Sequence, residues 1–129
     1  IEFQFVSMVN PHSISFLKII SEINISEIGP RIENDSYFPN KINVEFVEKI
    51  SDNCFKVKVW ERGSGATLAC GTGACAVYAI IIKNCVRQGL TLNEITLEFP
   101  GGNLYLSENE KGEIILRGPA VFVFKGEIE

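Results

Sequence analysis

Alternation of apolar and polar residues predicts that much of this chain forms short β-strands. Residues 41–50 and 54–60 alternate most clearly and flank an Asp52-Asn53 turn, which is the pattern of a β-hairpin. The other strand-like runs are 1–6, 13–16, 94–99, 104–107, 113–117 and 120–125. Segments that contain Gly or Pro interrupt the later runs, as tight turns require.

Two segments near the N-terminus depart from this alternation. Asn10-Pro11-His12 separates the first two runs. Proline has no N–H group to donate in a β-sheet, and it restricts the backbone conformation of the residue before it. We therefore predict that Asn10 and His12 lie on a turn. Residues 26–33 have the pattern of a short helix, with Ser26 as its cap and Pro30 in or near its first turn.

A longer apolar segment predicts one buried helix. Residues 71–88 leave almost no polar face before Lys83, and Gly89 follows them as a stop signal. A helix that is apolar all round is buried on nearly all sides, so a sheet must wrap around it. Together the predicted elements indicate an α+β domain.

Composition and charge narrow the possible functions. The 129 residues fit one domain, and no apolar run approaches the ~20 residues that a membrane span needs. The net charge of −4 comes without a cluster of Lys or Arg, so nucleic acid is not an expected partner. We expect a cytoplasmic protein that binds neither membranes nor nucleic acids. The chain opens in strand-like alternation without a starting Met, which we interpret as the sign of an excised fragment.

The four cysteines are expected to be reduced thiols, because the sequence has no secretory signal and no disulfide-like spacing. Cys70 differs from the others, since it directly precedes the predicted helix and its Gly71-Thr72-Gly73 start. First-turn N–H groups lack helical partners, so they can bind an anion, and their field favours a thiolate. We predict that these groups face an open cleft and lower the pKa of Cys70. Cys54, Cys75 and Cys85 are expected to be small buried residues.

Two other kinds of site fit these residues less well. The glycines could indicate a nucleotide-binding loop, but the Lys-Ser/Thr ending of a P-loop is absent. A zinc site is disfavoured because Cys70 and Cys75 would point about 140° apart on a helix. We therefore expect no metal site.

The segment from Glu61 to Ala76 resembles a motif of a known family. Its pattern, Glu61-Arg62-Gly63-x-Gly65-x-Thr67-x-Ala69-Cys70-Gly71-Thr72-Gly73-Ala74-Cys75-Ala76, is similar to the second-cysteine motif of diaminopimelate epimerases. Three further segments resemble that family in the same order: Asn10-Pro11-His12, 43–47, and Pro100-Gly101-Gly102 with Gly118-Pro119-Ala120. The resemblance covers almost the whole chain, with residues 1–129 as a C-terminal domain and the N-terminal half absent. It departs at Val9, where the family usually has Gly.

The resemblance implies a fold and a reaction. Each of two pseudo-symmetric halves is expected to be a curled mixed or antiparallel sheet around a central helix, with the active site between the halves. The implied reaction interconverts LL- and meso-diaminopimelate without pyridoxal phosphate, for lysine and peptidoglycan synthesis. We therefore expect an epimerase without a cofactor, acting on a small diamino dicarboxylic acid. Proline racemases and phenazine-biosynthesis isomerases share the fold, but the approach Glu61-Arg62-Gly63 resembles them less.

The resemblance also implies roles for individual residues. Cys70 resembles the acid–base cysteine, and Gly71 and Thr72 resemble backbone donors to the reacting carboxylate. The ligands of the distal amino-acid end would be Asn10, Asn43 and Arg62. The groups around the α-amino group and the catalytic thiol would be His12 and Glu61.

Inversion of a stereocentre requires proton removal from one face and delivery to the other, so two acid–base groups are needed. Cys75 points elsewhere on the predicted helix, and Cys85 lies about 22 Å along its axis from Cys70. We expect the opposing thiol in the missing N-terminal half, and a chain that is inactive alone. Self-association through the exposed cleft, as a homodimer, is also expected. The alternatives are a non-catalytic amino-acid-binding or interaction module of this fold and a related racemase or isomerase.

Overall fold

Strands predominate in residues 2–129, which the computed structural model describes. The strands are β1 (Gln4–Met8), β2 (Asn10–Leu17), β3 (Asn43–Ser51), β4 (Cys54–Glu61), β5 (Gly65–Thr67), β6 (Glu94–Phe99), β7 (Gly102–Glu108) and β8 (Ile114–Arg117). The helices are α1 (Ile25–Glu33) and α2 (Gly71–Arg87), and one 3-10 turn spans Ile20–Glu22. Neither α-helix of this described part is long and apolar enough to cross a membrane.

One mixed sheet contains these strands in the order β1-β2-β3-β4-β6-β7-β8, with β5 paired to β4. The pairs β2/β3 and β4/β6 are parallel, and the others are antiparallel. Each parallel pair is joined by a connection that contains a helix, because parallel strands need a long crossover. The predicted α+β class, a mixed sheet curled around a central helix, is confirmed.

The central helix α2 lies where the sequence predicts it. Cys70 is its N-cap residue, with an extended backbone, and the helix ends at Arg87, one residue earlier than predicted. Its buried residues are Gly73, Ala74, Ala76, Val77, Tyr78, Ile80 and Ile81. The helix packs against β1, β2 and β3 and against β7 and β8. The curl of the sheet therefore covers the apolar surface of α2.

Helix α1 forms a second core with β3 and β4. Ile28 and Ile32 pack with the buried Val44 and Phe46. Two sequence predictions about this helix were wrong. Ser26 is not the cap, because the helix begins at Ile25 after an Asn24 that makes no side-chain cap. Pro30 lies inside the helix and not in its first turn, and apolar packing offsets the helical hydrogen bond that its missing N–H removes.

The predicted turn at Asn10-Pro11-His12 was also wrong. These residues begin β2, where Asn10 pairs with Met8 and His12 pairs with Val6. The chain reverses at Val9 instead, which has a φ of 73°. A tight reversal at one left-handed residue leaves Pro11 at the second position of the strand, where its missing donor costs little.

The remaining differences from the sequence predictions are one strand that does not form and one that was not predicted. Residues 120–125, predicted as a strand, form no strand, and the side chains of Val121 to Phe124 are between 79% and 83% exposed. The strand β8 is the last in the sheet order and ends at Arg117, and the segment after Gly118-Pro119 pairs with no strand of the described residues. The three-residue strand β5 was not predicted, because it is too short for alternation to indicate it. Ile1, in the predicted first strand, lies outside the described residues.

The Val9→Gly substitution should stabilise the fold. A left-handed conformation costs a residue with a side chain about 1–2 kcal/mol, and the extra freedom of Gly in the unfolded chain offsets about 0.5–1 kcal/mol. We expect a net gain of about 0.5–1 kcal/mol in the free energy of unfolding, measured by urea denaturation. Ser7→Gly, in the neighbouring strand, is the matched control and should destabilise. A loss of stability in Val9→Gly would contradict the backbone assignment at this turn.

Candidate active site

Three strand ends meet the first turn of α2 and form the candidate active site. The start of β2 brings Asn10 and His12, the start of β3 brings Asn43, and the end of β4 brings Glu61. Parallel pairing sets His12 beside Asn43 across β2 and β3. Cys70 lies at the N-cap of α2, as predicted. The structure therefore brings together residues that are up to 62 positions apart in the sequence.

The Cys70 thiol is enclosed by its own helix turn. Its Sγ accepts a hydrogen bond from the Gly73 N–H at 3.3 Å and lies 3.6 Å from Thr72 Oγ1. The Cys70 carbonyl accepts from the Ala74 N–H, which begins the helical ladder. Gly71 and Thr72 are exposed, as predicted for an open first turn, but Gly73 is buried and its N–H is used by the thiol. The anion-accepting part of the turn is thus limited to Gly71 and Thr72.

The predicted lowering of the Cys70 pKa was wrong. Burial raises the pKa of this thiol, since desolvation disfavours the thiolate, and the Glu61 carboxylate raises it further. The Thr72 hydroxyl and the Gly73 N–H act in the opposite direction. Cys70 is only 8% exposed, whereas Cys54, Cys75 and Cys85, expected to be buried, are partly exposed. All four cysteines are free thiols.

A buried, hydrogen-bonded pair of His12 and Glu45 lies beneath the first turn of α2. His12 Nδ1 is 2.6 Å from Glu45 Oε1, and both side chains are fully buried. Burial raises the pKa of Glu45, although the hydrogen bond to His12 opposes that change. A Cβ at Gly73 would come within 2.8 Å of Glu45 Oε1 and 3.2 Å of Cys70 Sγ, so this glycine leaves room for both groups.

Sequence reasoning missed Glu45 as a site residue. It sits between Val44 and Phe46, whose side chains lie on the other face of the strand. All residues from 42 to 47 are buried, because α1 covers one face of β3 and α2 covers the other. The signal that could have revealed Glu45 is a carboxylate in a strand that the topology covers on both faces.

Asn10 connects the His12 pair to the helix start. Its Oδ1 lies 3.1 Å from His12 Nε2, and its Nδ2 donates to Thr72 Oγ1 at 3.5 Å. Asn10 is only partly buried. The side chain is therefore held from both ends and still reaches the cleft.

Asn43 and Arg62 are joined through the backbone. The buried Asn43 accepts from the Arg62 N–H at 2.7 Å and donates to the Pro11 carbonyl at 2.9 Å. Both ends of its amide thus tie β2, β3 and the end of β4 together. The Arg62 side chain is exposed and donates to the Asn40 carbonyl at 3.3 Å. Its planar guanidinium suits a carboxylate, because it can contact both oxygens.

Glu33, at the end of α1, supports the loop that follows β4. Its carboxylate accepts from the Trp60 indole N–H at 3.0 Å and from the Gly63 N–H at 2.9 Å. These hydrogen bonds, with Trp60 the larger cause, lower the pKa of Glu33. They flank Glu61 and Arg62 and fix the dipeptide from both sides. No sequence motif indicated this contact.

Among residues 2–129, no three His, Cys, Asp or Glu side chains lie close enough together to hold a metal ion.

Comparison with known proteins identifies the family. The family model described as diaminopimelate epimerase matches residues 4–123. The chain belongs to the diaminopimelate epimerase family. It is 45% identical over 124 residues to the diaminopimelate epimerase of Synechococcus elongatus and 47% identical over 128 residues to that of Methanococcus maripaludis strain C5. These alignments cover 96% and 98% of this chain but only 43% and 45% of the relatives. The chain therefore spans less than half the length of these epimerases.

Solved structures support the fold assignment. A phenazine biosynthesis protein of the PhzF family from Enterococcus faecalis superposes with a TM-score of 0.54 and 14% identity, covering 78% of this chain and 35% of that protein. A PhzF-family protein from Bacillus anthracis gives a TM-score of 0.53 at 20% identity, covering 88% and 37%. At such identities the similarity concerns the fold alone.

Replacing Glu61 by Gln should make Cys70 a stronger acid. The Glu61 carboxylate raises the Cys70 pKa, so its neutral isostere should lower that pKa and increase the thiolate fraction near neutral pH. We expect the pH profile of Cys70 alkylation by iodoacetamide to shift to lower pH, measured by peptide mass spectrometry. Glu27→Gln, on the exposed side of α1, is the control and should leave the profile unchanged. An unchanged profile in Glu61→Gln would show that this carboxylate does not act on the thiol.

Proposed function

We propose that this chain is the C-terminal half of a cofactor-independent diaminopimelate epimerase and that Cys70 is one of its two acid–base groups. The observation that carries the proposal is the position of Cys70 at the start of α2, between exposed first-turn donors and the polar ends of β2, β3 and β4. Family membership supports the reaction class. The substrate would be diaminopimelate, interconverted between its LL and meso forms.

Each part of the site has a task in this reaction. The N–H groups of Gly71 and Thr72 accept the reacting carboxylate, because a first turn carries unpaired donors and a partial positive charge. Charge that develops toward that carboxylate during deprotonation is stabilised by the same donors. Arg62 and Asn10 bind the distal amino-acid end, while Asn43 holds Arg62 in place and can offer its remaining amide hydrogen.

Cys70 removes or delivers the α-proton on one face of the substrate. As a thiolate it takes the proton from carbon, leaving the electron pair delocalised into the carboxylate, and a thiol on the opposite face supplies a proton to the same carbon. In the reverse direction the roles exchange. His12 and Glu61 lie around this centre, and Glu61 limits the acidity of Cys70 through its negative charge.

The opposing thiol belongs to a part of the protein that this chain does not contain. Cys75 packs against the central core and Cys85 lies near the far end of α2, so neither faces Cys70 across a cleft. The exposed apolar segment from Val121 to Phe124 supports a further domain, because such a surface is normally covered. The second half of the active site would lie on that domain.

The 129-residue chain should have no epimerase activity alone. Fusion to the N-terminal half of a relative, such as the epimerase of Methanococcus maripaludis, should restore conversion of LL- to meso-diaminopimelate, measured by chiral chromatography. Cys70→Ser in the fusion should reduce turnover by about 10²–10⁴-fold, which is the contribution of a positioned acid–base group. Cys75→Ser is the matched control and should retain activity. Turnover by the isolated chain would refute the two-half proposal.

The fused Cys70→Ala variant should separate the two faces of the substrate. It lacks one base but keeps the Gly71 and Thr72 donors and the opposing thiol. In deuterated water, one isomer should exchange its α-hydrogen with retention, while the centre that needs Cys70 should exchange far more slowly. Mass spectrometry of the recovered isomers measures the label. Equal label in both isomers, or continued inversion, would mean that Cys70 is not the face-specific base.

A further inference from the structure

A chain of polar contacts joins the buried Glu45 to the Cys70 thiol. Glu45 Oε1 contacts His12 Nδ1 at 2.6 Å, and His12 Nε2 contacts Asn10 Oδ1 at 3.1 Å. Asn10 Nδ2 donates to Thr72 Oγ1 at 3.5 Å, and Thr72 Oγ1 lies 3.6 Å from Cys70 Sγ. The chain crosses from β3 through β2 to the first turn of α2.

The orientation of the Asn10 amide determines which group donates and which accepts at each contact in this series. Its oxygen faces His12 and its nitrogen faces Thr72, so His12 Nε2 must carry a hydrogen to donate. Asn10 then donates to the Thr72 oxygen. The Thr72 hydroxyl hydrogen is left free to point at the Cys70 sulfur.

Glu45 determines whether His12 Nε2 keeps that hydrogen. The pair can exist as carboxylate and imidazolium or as carboxylic acid and neutral imidazole, and Nε2 carries a hydrogen in both forms. Oε2 of Glu45 has no hydrogen-bond partner among the described residues. If the pair lost its shared proton, the neutral ring could still donate Nδ1–H to Oε1. The pair would then carry a net negative charge in a buried site where no described residue donates to Oε2, which is costly. The other titratable groups near the pair are Glu61 from β4 and Cys70 from α2.

A neutral amide in place of Glu45 removes this preference. His12 could then donate from Nδ1 to the amide oxygen and leave Nε2 as an acceptor. The Asn10 amide would turn over to donate to Nε2, and its oxygen would face Thr72. The Thr72 hydroxyl would donate to Asn10, and the Cys70 sulfur would lose a donor.

We propose that Glu45 is a positioning residue which, through His12, Asn10 and Thr72, keeps the Thr72 hydroxyl donating to the Cys70 sulfur. Its importance for catalysis rests on the proposed role of Cys70 as an acid–base group. With the Gly73 N–H, the hydroxyl gives the thiolate two donors in the half-reaction in which Cys70 is the base. Both donors are in place before substrate binds.

The His12 tautomer tests the donor and acceptor order of these polar contacts. His12 is the single histidine of the sequence, so nitrogen NMR of the histidine-labelled protein gives one imidazole. We expect a hydrogen on Nε2 near neutral pH in the wild-type chain and a shift towards the Nδ1-protonated ring in Glu45→Gln. Glu48→Gln, on the same strand but the opposite face, should leave the tautomer unchanged. An Nε2 without hydrogen in the wild-type chain would overturn the proposal.

The reactivity of Cys70 tests the last of these contacts, between the Thr72 hydroxyl and the Cys70 sulfur. Glu45→Gln and Thr72→Val should each slow alkylation of Cys70 near neutral pH by about tenfold, as expected for loss of one hydrogen bond to a charged sulfur. Thr72→Ser keeps the hydroxyl and should react like the wild type. Combining Glu45→Gln with Thr72→Val should slow the reaction no further than Thr72→Val alone, because both act through one donor.

The results of these experiments distinguish a failure of the proposed role of Glu45 from a failure of the proposed epimerase function. Additive effects of the two substitutions, or an unchanged rate in Thr72→Val, would overturn the role of Glu45. If Glu45→Gln does not fold, the wild-type tautomer and the comparison of Thr72→Val with Thr72→Ser still decide. None of these measurements needs substrate. An inactive fusion protein with this pattern of NMR and alkylation results would refute the epimerase and leave the chain of contacts intact.

Discussion

The burial of α2 is the constraint on which the rest of the structure depends. A helix with Ala and Ile on all sides is unstable in water, so the sheet must enclose it. Strands on both sides of the helix supply that cover, and the sheet curls to do so. Once α2 is fixed, the position of its first turn is fixed as well. The N-terminal end of the helix then lies where β2 and β3 begin and β4 ends.

Enclosure also explains why polar groups occur inside this domain. Because β3 is covered on both faces, the carboxylate of Glu45 has no access to water. Its hydrogen-bonding partner is His12. The same enclosure desolvates Cys70 and raises its pKa. The site combines a thiol that burial makes a weaker acid with neighbouring donors that favour its ionised form. Such opposing effects allow small changes around the sulfur to alter its protonation.

Local patterns predicted the parts of the fold that depend on neighbouring residues in sequence. Alternation located β4 and β6, and the apolar run located α2 with Cys70 at its start. Properties that depend on distant residues could not be predicted in this way. The direction of the Cys70 pKa follows from burial by other strands, and the importance of Glu45 follows from covering both faces of β3. Residues 120–125 alternate like a strand, but no neighbouring strand pairs with them.

Besides the pairing of β5 with β4, two further hydrogen bonds hold the segment between Arg62 and Cys70. Near its start, the Gly63 N–H donates to Glu33, and near its end, the Leu68 carbonyl accepts from the Gly101 N–H at 2.8 Å. A Cβ on Gly101 would lie 2.8 Å from the Leu68 Cβ, so these two turns are in close contact. Because both ends of the segment are hydrogen-bonded and β5 is paired between them, we expect an insertion or deletion to break at least one of these contacts. Changes in what this edge of the sheet can contact would therefore come from exchanging side chains, because hydrogen bonds at both ends hold the spacing of the backbone.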